Sequence, residues 1–347
     1  MAVKKKMKSK KWSLKKKIIV SICSIFCLLI FSFLFLFYGP IESFKDFWIT
    51  SAMTTMNHRY LATWLYSDEY IQKVLSRNKV FEIDEMTDTS VIKFKKYTSS
   101  IYKNKYDKEV LTKDEENDLY KVIPINGTSY KGFLVAIYDP SRISIATTNY
   151  LGVRGESILT VSKREKAIIA MNAGGFYDPD WNSNGALPHG TVIKNGKLVS
   201  SYVPANVGGG IIGFTNENKL ILGKMSANEA LNKGVRDAVE FGPYLIINGK
   251  RSFVSGNGGW GIAPRTAIGQ RADGIVLFLV INGRLANSIG ADMSDLCDVM
   301  ENYGAVNAAN LDGGSSSELV INNEIINTPV AGGKNGLRDM STFWIVK

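Results

Sequence analysis

The stretch Asn307–Glu318 reads Asn-Ala-Ala-Asn-Leu-Asp-Gly-Gly-Ser-Ser-Ser-Glu, setting a carboxylate at Asp312 against Gly313, Gly314 and the hydroxyls of Ser315, Ser316 and Ser317. Two adjacent residues without a Cβ let the backbone approach a ligand and let successive N–H groups converge on an anion. In such a turn the carboxylate would serve as a base and the hydroxyls as short donors. An isolated Asp-Gly-Gly is more often a plain polar turn. Chemistry here therefore depends on partners elsewhere in the chain.

Candidate partners are few. Asn172 closes a short apolar run and is followed by Gly174 and Gly175; an amide that both donates and accepts, beside a glycine pair, suits sugar hydroxyls. His189, in the loop Leu-Pro-His-Gly, could donate to a phosphate or a leaving oxygen. Arg265 and Thr266 enter a long apolar run, offering a planar fork for phosphate or carboxylate with a hydroxyl beside it. Arg338, near the final strand, is a second cation, and Glu240, in Val-Glu-Phe-Gly-Pro, a second carboxylate.

Other chemistries find less support. Gly256–Gly261 fits G-x-G-x-x-G but runs into Pro264 and a strand, so no helix N-terminus follows to receive a pyrophosphate; it reads as a loop or lid over Arg265. Two distant histidines, His58 and His189, and a single cysteine beyond the N-terminal apolar segment, Cys297, leave no zinc spacing. No metal site and no cofactor are expected, although a divalent cation held by lone carboxylates and carbonyls would leave no readable spacing. Cys297 falls within a helical pattern and reads as a buried structural thiol.

The elements that must position these residues are mostly strands. Short apolar runs at Phe133–Tyr138, Ile143–Thr147, Ala167–Met171, Ile211–Phe214, Lys219–Leu222, Tyr244–Ile247, Ile275–Ile281 and Thr342–Val346 alternate with turn signals. Asn195-Gly196, Asn248-Gly249, Asn282-Gly283 and Asn322-Asn323 predict hairpins, because these residues tolerate the left-handed backbone of a type I′ turn. Helices are expected over Glu156–Lys166, after the capping box Ser226-x-x-Glu229, and over Met293–Tyr303, which Gly304 stops just before the Asp312 stretch. The pattern predicts an α+β fold, a mixed and mostly antiparallel sheet with packed helices.

The N-terminal third is different. Nine of the 42 basic residues lie in residues 1–38, leaving 33 basic against 32 acidic residues in the remainder, which excludes a nucleic-acid-binding surface on the bulk of the protein. Lys4–Lys17 forms a basic cytoplasmic tail (1–17), and the uncharged run Ile18–Tyr38 is long enough, at about 1.5 Å per residue, to cross a bilayer (18–38). Lysines on its N-terminal side place that end in the cytoplasm and the rest outside, as a single-pass, uncleaved anchor in the cell membrane. Residues 41–119 read as a helical stalk and charged linker, whose aromatic stripes (Phe44, Phe47, Trp48, Trp64) offer a surface for self-association. The main domain is placed at 120–347.

Taken in order, Asn172-x-Gly174-Gly175-Phe176, Pro264-Arg265-Thr266-Ala267-Ile268-Gly269, Asn282-Gly283-Arg284 and Asn310-Leu311-Asp312-Gly313-Gly314-Ser315-Ser316 resemble the phosphodiester glycosidase family over roughly Tyr120–Lys347. This is the family of the mammalian uncovering enzyme, which removes N-acetylglucosamine from a sugar phosphodiester. The family more often shows Asn-Gly-Gly-Phe-Phe at the first motif and a third glycine at the position of Ser315, departures that leave the substrate open.

The resemblance implies hydrolysis between a sugar's anomeric carbon and a phosphodiester oxygen. Asp312 would be base or nucleophile, and Arg265 with Arg338 would neutralise the phosphate. Gly313, Gly314 and Ser315 would donate to its oxygens, with Ser316 beside them, and Asn172 would orient the sugar. His189 would be an accessory acid and Glu240 a second carboxylate. The expected substrate is a sugar phosphate or glycopolymer of the cell envelope, such as an exopolysaccharide. Two rivals stand beside it: a Ser316–His189–Asp312 esterase triad, which lacks a G-x-S-x-G elbow, and a non-catalytic envelope protein that binds or assembles glycopolymer.

Overall fold

The structure, a computed structural model, describes residues 12–55, 58–94, 102–113, 117–177, 184–201, 209–330 and 336–347. Three antiparallel sheets carry the C-terminal two thirds. The largest orders Lys250–Arg251, Tyr244–Ile247, Ala305–Asn310, Arg265–Arg271, Val276–Ile281, Lys131–Ile137 and Tyr120–Asn126. A second orders Lys197–Ser200, Val192–Lys194, Val235–Glu240, Gly209–Thr215 and Leu220–Met225. The third orders Glu324–Ile325, Leu319–Ile321, Ile169–Asn172, Thr342–Val346 and Ile143–Thr147.

The strand Val276–Ile281 is apolar at every position because both faces of its sheet are covered. Val276, Phe278 and Val280 point into a core shared with Phe214, Val239, Ile169 and Trp344 of the other two sheets. Leu277, Leu279 and Ile281 point the other way, onto Met293, Leu296, Cys297 and Met300 of the helix Met293–Asn302. Phe214 and Trp344 meet edge to face at 5.5 Å between centroids, locking the second sheet to the third. Cys297 is buried, and desolvation pushes its thiol up to about 12, as a structural thiol requires.

Local signals explain most of the joints. Asn195-Gly196, Asn248-Gly249 and Asn322-Asn323 all take positive φ between paired strands. The expected capping box of Ser226 with Glu229 forms, and the structure adds a second, Asp292 with Asp295. The exception is Asn282-Gly283, which forms no hairpin. There the left-handed residue is Arg284, and Ser288 Oγ donates to the Asn282 carbonyl at 2.8 Å, so the chain loops outward instead.

At the N-terminus, helix α1 (Leu14–Tyr38) is followed by α2 (Glu42–Met53), α3 (Tyr60–Thr63) and α4 (Asp68–Arg77). Ile49, Ala52, Ala62, Ile71 and Val74 form a small core among the last three, and Arg77 pairs with Glu42 at 2.6 Å and also with Asp46. The segment expected as a stalk and linker does not stand clear of the domain. Lys79–Phe81 pairs with Phe253–Ser255, Glu82 accepts from the Tyr244 N–H at 2.7 Å, and Asp107 pairs with buried Arg271 at 2.7 Å. Such partners lie more than 150 residues away in sequence, for instance 162 for Glu82 and Tyr244, beyond the reach of any local pattern.

Candidate active site

The turn at Asp312 sits where the largest sheet meets the third. The strand Ala305–Asn310 delivers it, and from there each residue is tied to one sheet or the other. Leu311 N–H donates to the Thr266 carbonyl at 2.8 Å, Asp312 N–H to Ala173 at 3.1 Å, and Gly314 N–H to Pro264 at 2.8 Å. Gly314 takes φ +64°, and a Cβ on Gly313 would stand 3.0 Å from the Pro264 carbonyl oxygen, so both glycines are required for this close approach.

Beneath the turn lies Asn172. Its Nδ2 donates to the Asp312 carbonyl at 2.6 Å, while its Oδ1 accepts from Thr266 Oγ1 at 2.8 Å and Glu318 N–H at 3.2 Å. Both Asn172 and Thr266 are buried. The amide thus ties the two ends of the turn, Asp312 and Glu318, to each other and to the strand Arg265–Arg271.

The Asp312 carboxylate accepts from Gly313 N–H at 3.0 Å. Desolvation raises its pKa, opposed by the charge of Arg338, the Ser316 hydroxyl and the Gly313 N–H. Arg338 is positioned by Ser315 Oγ at 2.9 Å, by Ser316 Oγ at 3.3 Å, and by the face of Phe176 at 4.6 Å. Its backbone N–H donates to Glu318 Oε1 at 2.8 Å. Glu318 is fully buried, its Oε2 has no hydrogen-bond partner among the described residues, and burial pushes its pKa up to about 8. A buried carboxyl with one unsatisfied oxygen favours the protonated form.

A cavity of about 650 Å³ opens over the turn. One wall is Asp312, Gly313, Gly314 and Ser315 with Arg265, Arg284 and Arg338. The other is built by α2 and the chain after it, with Phe47, Trp48, Ser51, Thr54, His58 and Leu61, joined by Trp260, Ile262 and Ile289. Arg284 hangs over Gly314, and among the described residues its guanidinium makes no ion pair and no hydrogen bond; a Cβ on Gly314 would come within 3.4 Å of its Nη2. Desolvation and the charge of Arg338 lower its pKa. Two guanidinium groups beside a carboxylate make a wall suited to an anionic group next to a reacting centre.

A model of the phosphodiester glycosidase family matches residues 165–347, more than half of the chain. The chain belongs to the phosphodiester glycosidase family. It is 30% identical over 215 residues to the SPbeta prophage-derived uncharacterized protein YomE of Bacillus subtilis (strain 168), covering 59% of this chain and 32% of that protein. The chain therefore spans about a third of that relative's length. In fold it is similar to the catalytic domain of zebrafish N-acetylglucosamine-1-phosphodiester alpha-N-acetylglucosaminidase, auto-inhibited by pro-peptide. The TM-score is 0.54 at 19% identity, covering 67% of this chain and 85% of that one.

The phosphodiester glycosidase domain divides the residues singled out from sequence into three groups. Asp312, Gly313, Gly314, Ser315, Arg265 and Arg338 line the cavity, with Ser316 bonded behind them. Asn172 and Thr266 support the turn from below and do not line the cavity, and Gly174 and Gly175 are packed against Val239 and Phe241, where side chains would collide. His189 and Glu240 line a second cavity of about 650 Å³, with Tyr244, Phe241 and Lys224. Trp260 stands between the two cavities and lines both. This separation leaves the Ser316–His189–Asp312 triad unassembled.

Within the first group, roles also differ from the expectation. The Gly313 N–H is taken by Asp312 itself and the Gly314 N–H by Pro264, so neither is directed at a ligand. Arg265 is buried and donates to the carbonyls of Ala291 at 3.1 Å and of Trp260 and Gly261 at 2.5 Å each. Burial brings its pKa down to about 10, against the pull of Asp292 and with the push of Arg284. Its guanidinium fixes the Gly256–Gly261 loop over the site.

Three features escaped sequence reading. Arg284 was visible in Asn282-Gly283-Arg284, but that tripeptide reads as a hairpin. Glu318 ended the Asp312 stretch without any sign that it would be buried. The α2 wall carried only the signature of an amphipathic helix.

Proposed function

We propose that the domain is a hydrolase that cleaves the bond between a sugar's anomeric carbon and the phosphodiester oxygen attached to it. The carrying observation is that the Asp312 carboxylate shares one cavity wall with Arg284 and Arg338. A glycosidase normally needs one carboxyl to protonate a poor alkoxide leaving group and a second as nucleophile or base. Here the departing group is a phosphate monoester, whose second pKa of about 6 makes it far better at leaving. One carboxylate with cationic stabilisation of the departing phosphate is then sufficient.

In this mechanism ionised Asp312 attacks the anomeric carbon or takes a proton from the water that does. The carbon–oxygen bond breaks and its electron pair leaves with the phosphate, toward Arg284 and Arg338. Water supplies hydroxyl to the sugar and the remaining proton to solvent. Ser315 and Ser316 hold Arg338 in place, and Asn172 holds Asp312. Hydrolysis in ¹⁸O-labelled water reads the bond that breaks. Label in the sugar is expected; label in the phosphate would make the protein a phosphodiesterase instead.

We infer a placement for this activity from α1. Its uncharged run is flanked by Trp12 and Lys15–Lys17 at one end and Tyr38 at the other, the distribution of a bilayer-spanning helix with interfacial anchors. On this reading the protein is a single-pass membrane protein with its N-terminus in the cytoplasm and its glycosidase domain outside, acting on a sugar phosphodiester of the cell envelope. Protease added to intact cells should remove the domain; protection of the domain would place it inside.

A further inference from the structure

The two walls of the Asp312 cavity differ in chemistry. One is charged, with Asp312, Arg284 and Arg338; the other, from the N-terminal helices, sets the apolar Phe47, Trp48, Ala52 and Leu61 among Ser51, Thr54, Thr55 and His58. At the rim beside Arg284 stands Ile289, a large apolar side chain that is 53% exposed and whose carbonyl accepts from the Arg284 N–H at 2.8 Å. A substrate that was only sugar and phosphate would leave this second wall facing water.

The apolar wall is also continuous with the apolar helix. Only Gly39–Ile41 separates α1 from α2. Phe37, the one buried residue of α1, packs edge to face on Trp48 at 4.8 Å and on Phe44 at 5.2 Å, and Tyr66 Oη donates to the Phe37 carbonyl at 2.9 Å. Trp48, at the end of this path, donates its indole N–H to the Leu61 carbonyl at 2.9 Å and so presents its ring, not a polar atom, to the cavity. With twelve residues, α2 spans about 18 Å. The cavity therefore lies within one short helix of the end of α1.

We propose, building on the reading of this site as a phosphodiester glycosidase, that its substrate is a lipid-linked sugar phosphodiester taken from the membrane on which the protein is anchored. The phosphate lies against Arg284 and Arg338, the sugar's anomeric carbon against Asp312, and the first methylenes of the hydrocarbon, esterified to the far side of the phosphate, against Phe47, Trp48 and Ile289. The helices that precede the glycosidase domain are then part of its substrate site, and they set its preference for the aglycone.

The test uses the full chain in detergent and two water-soluble probes, methyl and octyl phosphodiesters of N-acetylglucosamine 1-phosphate, both below their aggregation concentrations. Burial of about two methylenes is enough to give roughly a tenfold preference for the octyl probe in kcat/KM. Ile289→Ser, at an exposed position that the fold does not need, and Phe47→Ala should each reduce that preference several-fold, chiefly through KM for the octyl probe. Equal kcat/KM for the two probes would overturn the proposal. An equal gain on both probes in Phe47→Ala would also overturn it and make α2 a plug. Dissociation constants of both probes on Asp312→Asn separate the two levels of the argument. Octyl preference in binding without turnover by the native chain would retain the amphiphile and remove the hydrolase, whereas failure to bind either probe would remove both.

Discussion

Asn172 and Asp312 are 140 residues apart in the chain, and a 2.6 Å hydrogen bond from the Asn172 amide to the Asp312 carbonyl joins them. That bond, with the two that Asn172 Oδ1 accepts, fastens the third sheet to the largest one at the point where the proposed catalytic carboxylate emerges. The position of Asp312 is thus a property of how two sheets meet.

Asn172→Ala should therefore behave as a structural lesion. Removing three hydrogen bonds and leaving the buried Glu318 N–H without its acceptor is expected to cost about 2–4 kcal/mol, read as a fall in denaturation midpoint together with a fall in kcat. A rise in KM with unchanged stability would instead mean that Asn172 touches the sugar.

Arg284 and Arg265 line the same cavity and should respond in opposite ways. Arg284 has no side-chain hydrogen bond or ion pair among the described residues, so Arg284→Ala should leave the melting temperature nearly unchanged and lower kcat/KM about 100-fold, as loss of a charge-stabilising group does. Arg265→Ala removes three hydrogen bonds to backbone carbonyls, that of Gly261 losing its donor outright, and should destabilise by about 3 kcal/mol. Thermal melts beside steady-state kinetics on both variants decide this.

Arg338 should appear in the pH profile. Burial raises the Asp312 pKa and Arg338 pulls it back, so the acid limb of kcat/KM reports a carboxylate already above its ordinary range. Arg338→Gln removes the opposing charge and should move that limb to higher pH. A limb that stays in place would mean that Asp312 is not the group being titrated.

Glu318 should appear in stability. Its pKa is about 8 in the fold against an ordinary 4.5, so between those values the unfolded chain releases a proton that the folded chain keeps. Stability contributed at low pH is then lost as pH rises through this window. Glu318→Gln, which mimics the protonated form, should flatten the dependence between pH 5 and 8 in chemical denaturation. A native chain already flat across that range would show that Glu318 titrates normally.

Much of this fold is legible in the sequence because its signals are local. The runs at Ile143–Thr147, Tyr244–Ile247 and Thr342–Val346 form strands with those same bounds, and the helix ahead of Gly304 starts at Met293, as its pattern indicates. What was not legible depends on pairing across long separations. His189 and Glu240 look like partners of Asp312 on a linear chain, but the second sheet carries Glu240, and the loop after Leu187–Pro188 carries His189, to a different cavity. Residues 82–121 have little periodicity and read as a linker, because described residues among them, such as Asp107, are placed by distant partners, here Arg271. Arg284 and Glu318 gain their meaning from burial and from Arg338, which no spacing reveals.

The central claim is that Asp312, held beside two arginines, carries hydrolysis of a sugar phosphodiester. It is tested most directly by incubating the purified full chain and its Asp312→Asn form with the methyl and octyl phosphodiesters of N-acetylglucosamine 1-phosphate. Free sugar and phosphate monoester are recorded by ³¹P and ¹H NMR. The native chain should release both products in equal amounts, and the folded Asp312→Asn chain should release them at least about 1,000-fold more slowly. Equal turnover by the two chains, or none by a folded native chain, would contradict it.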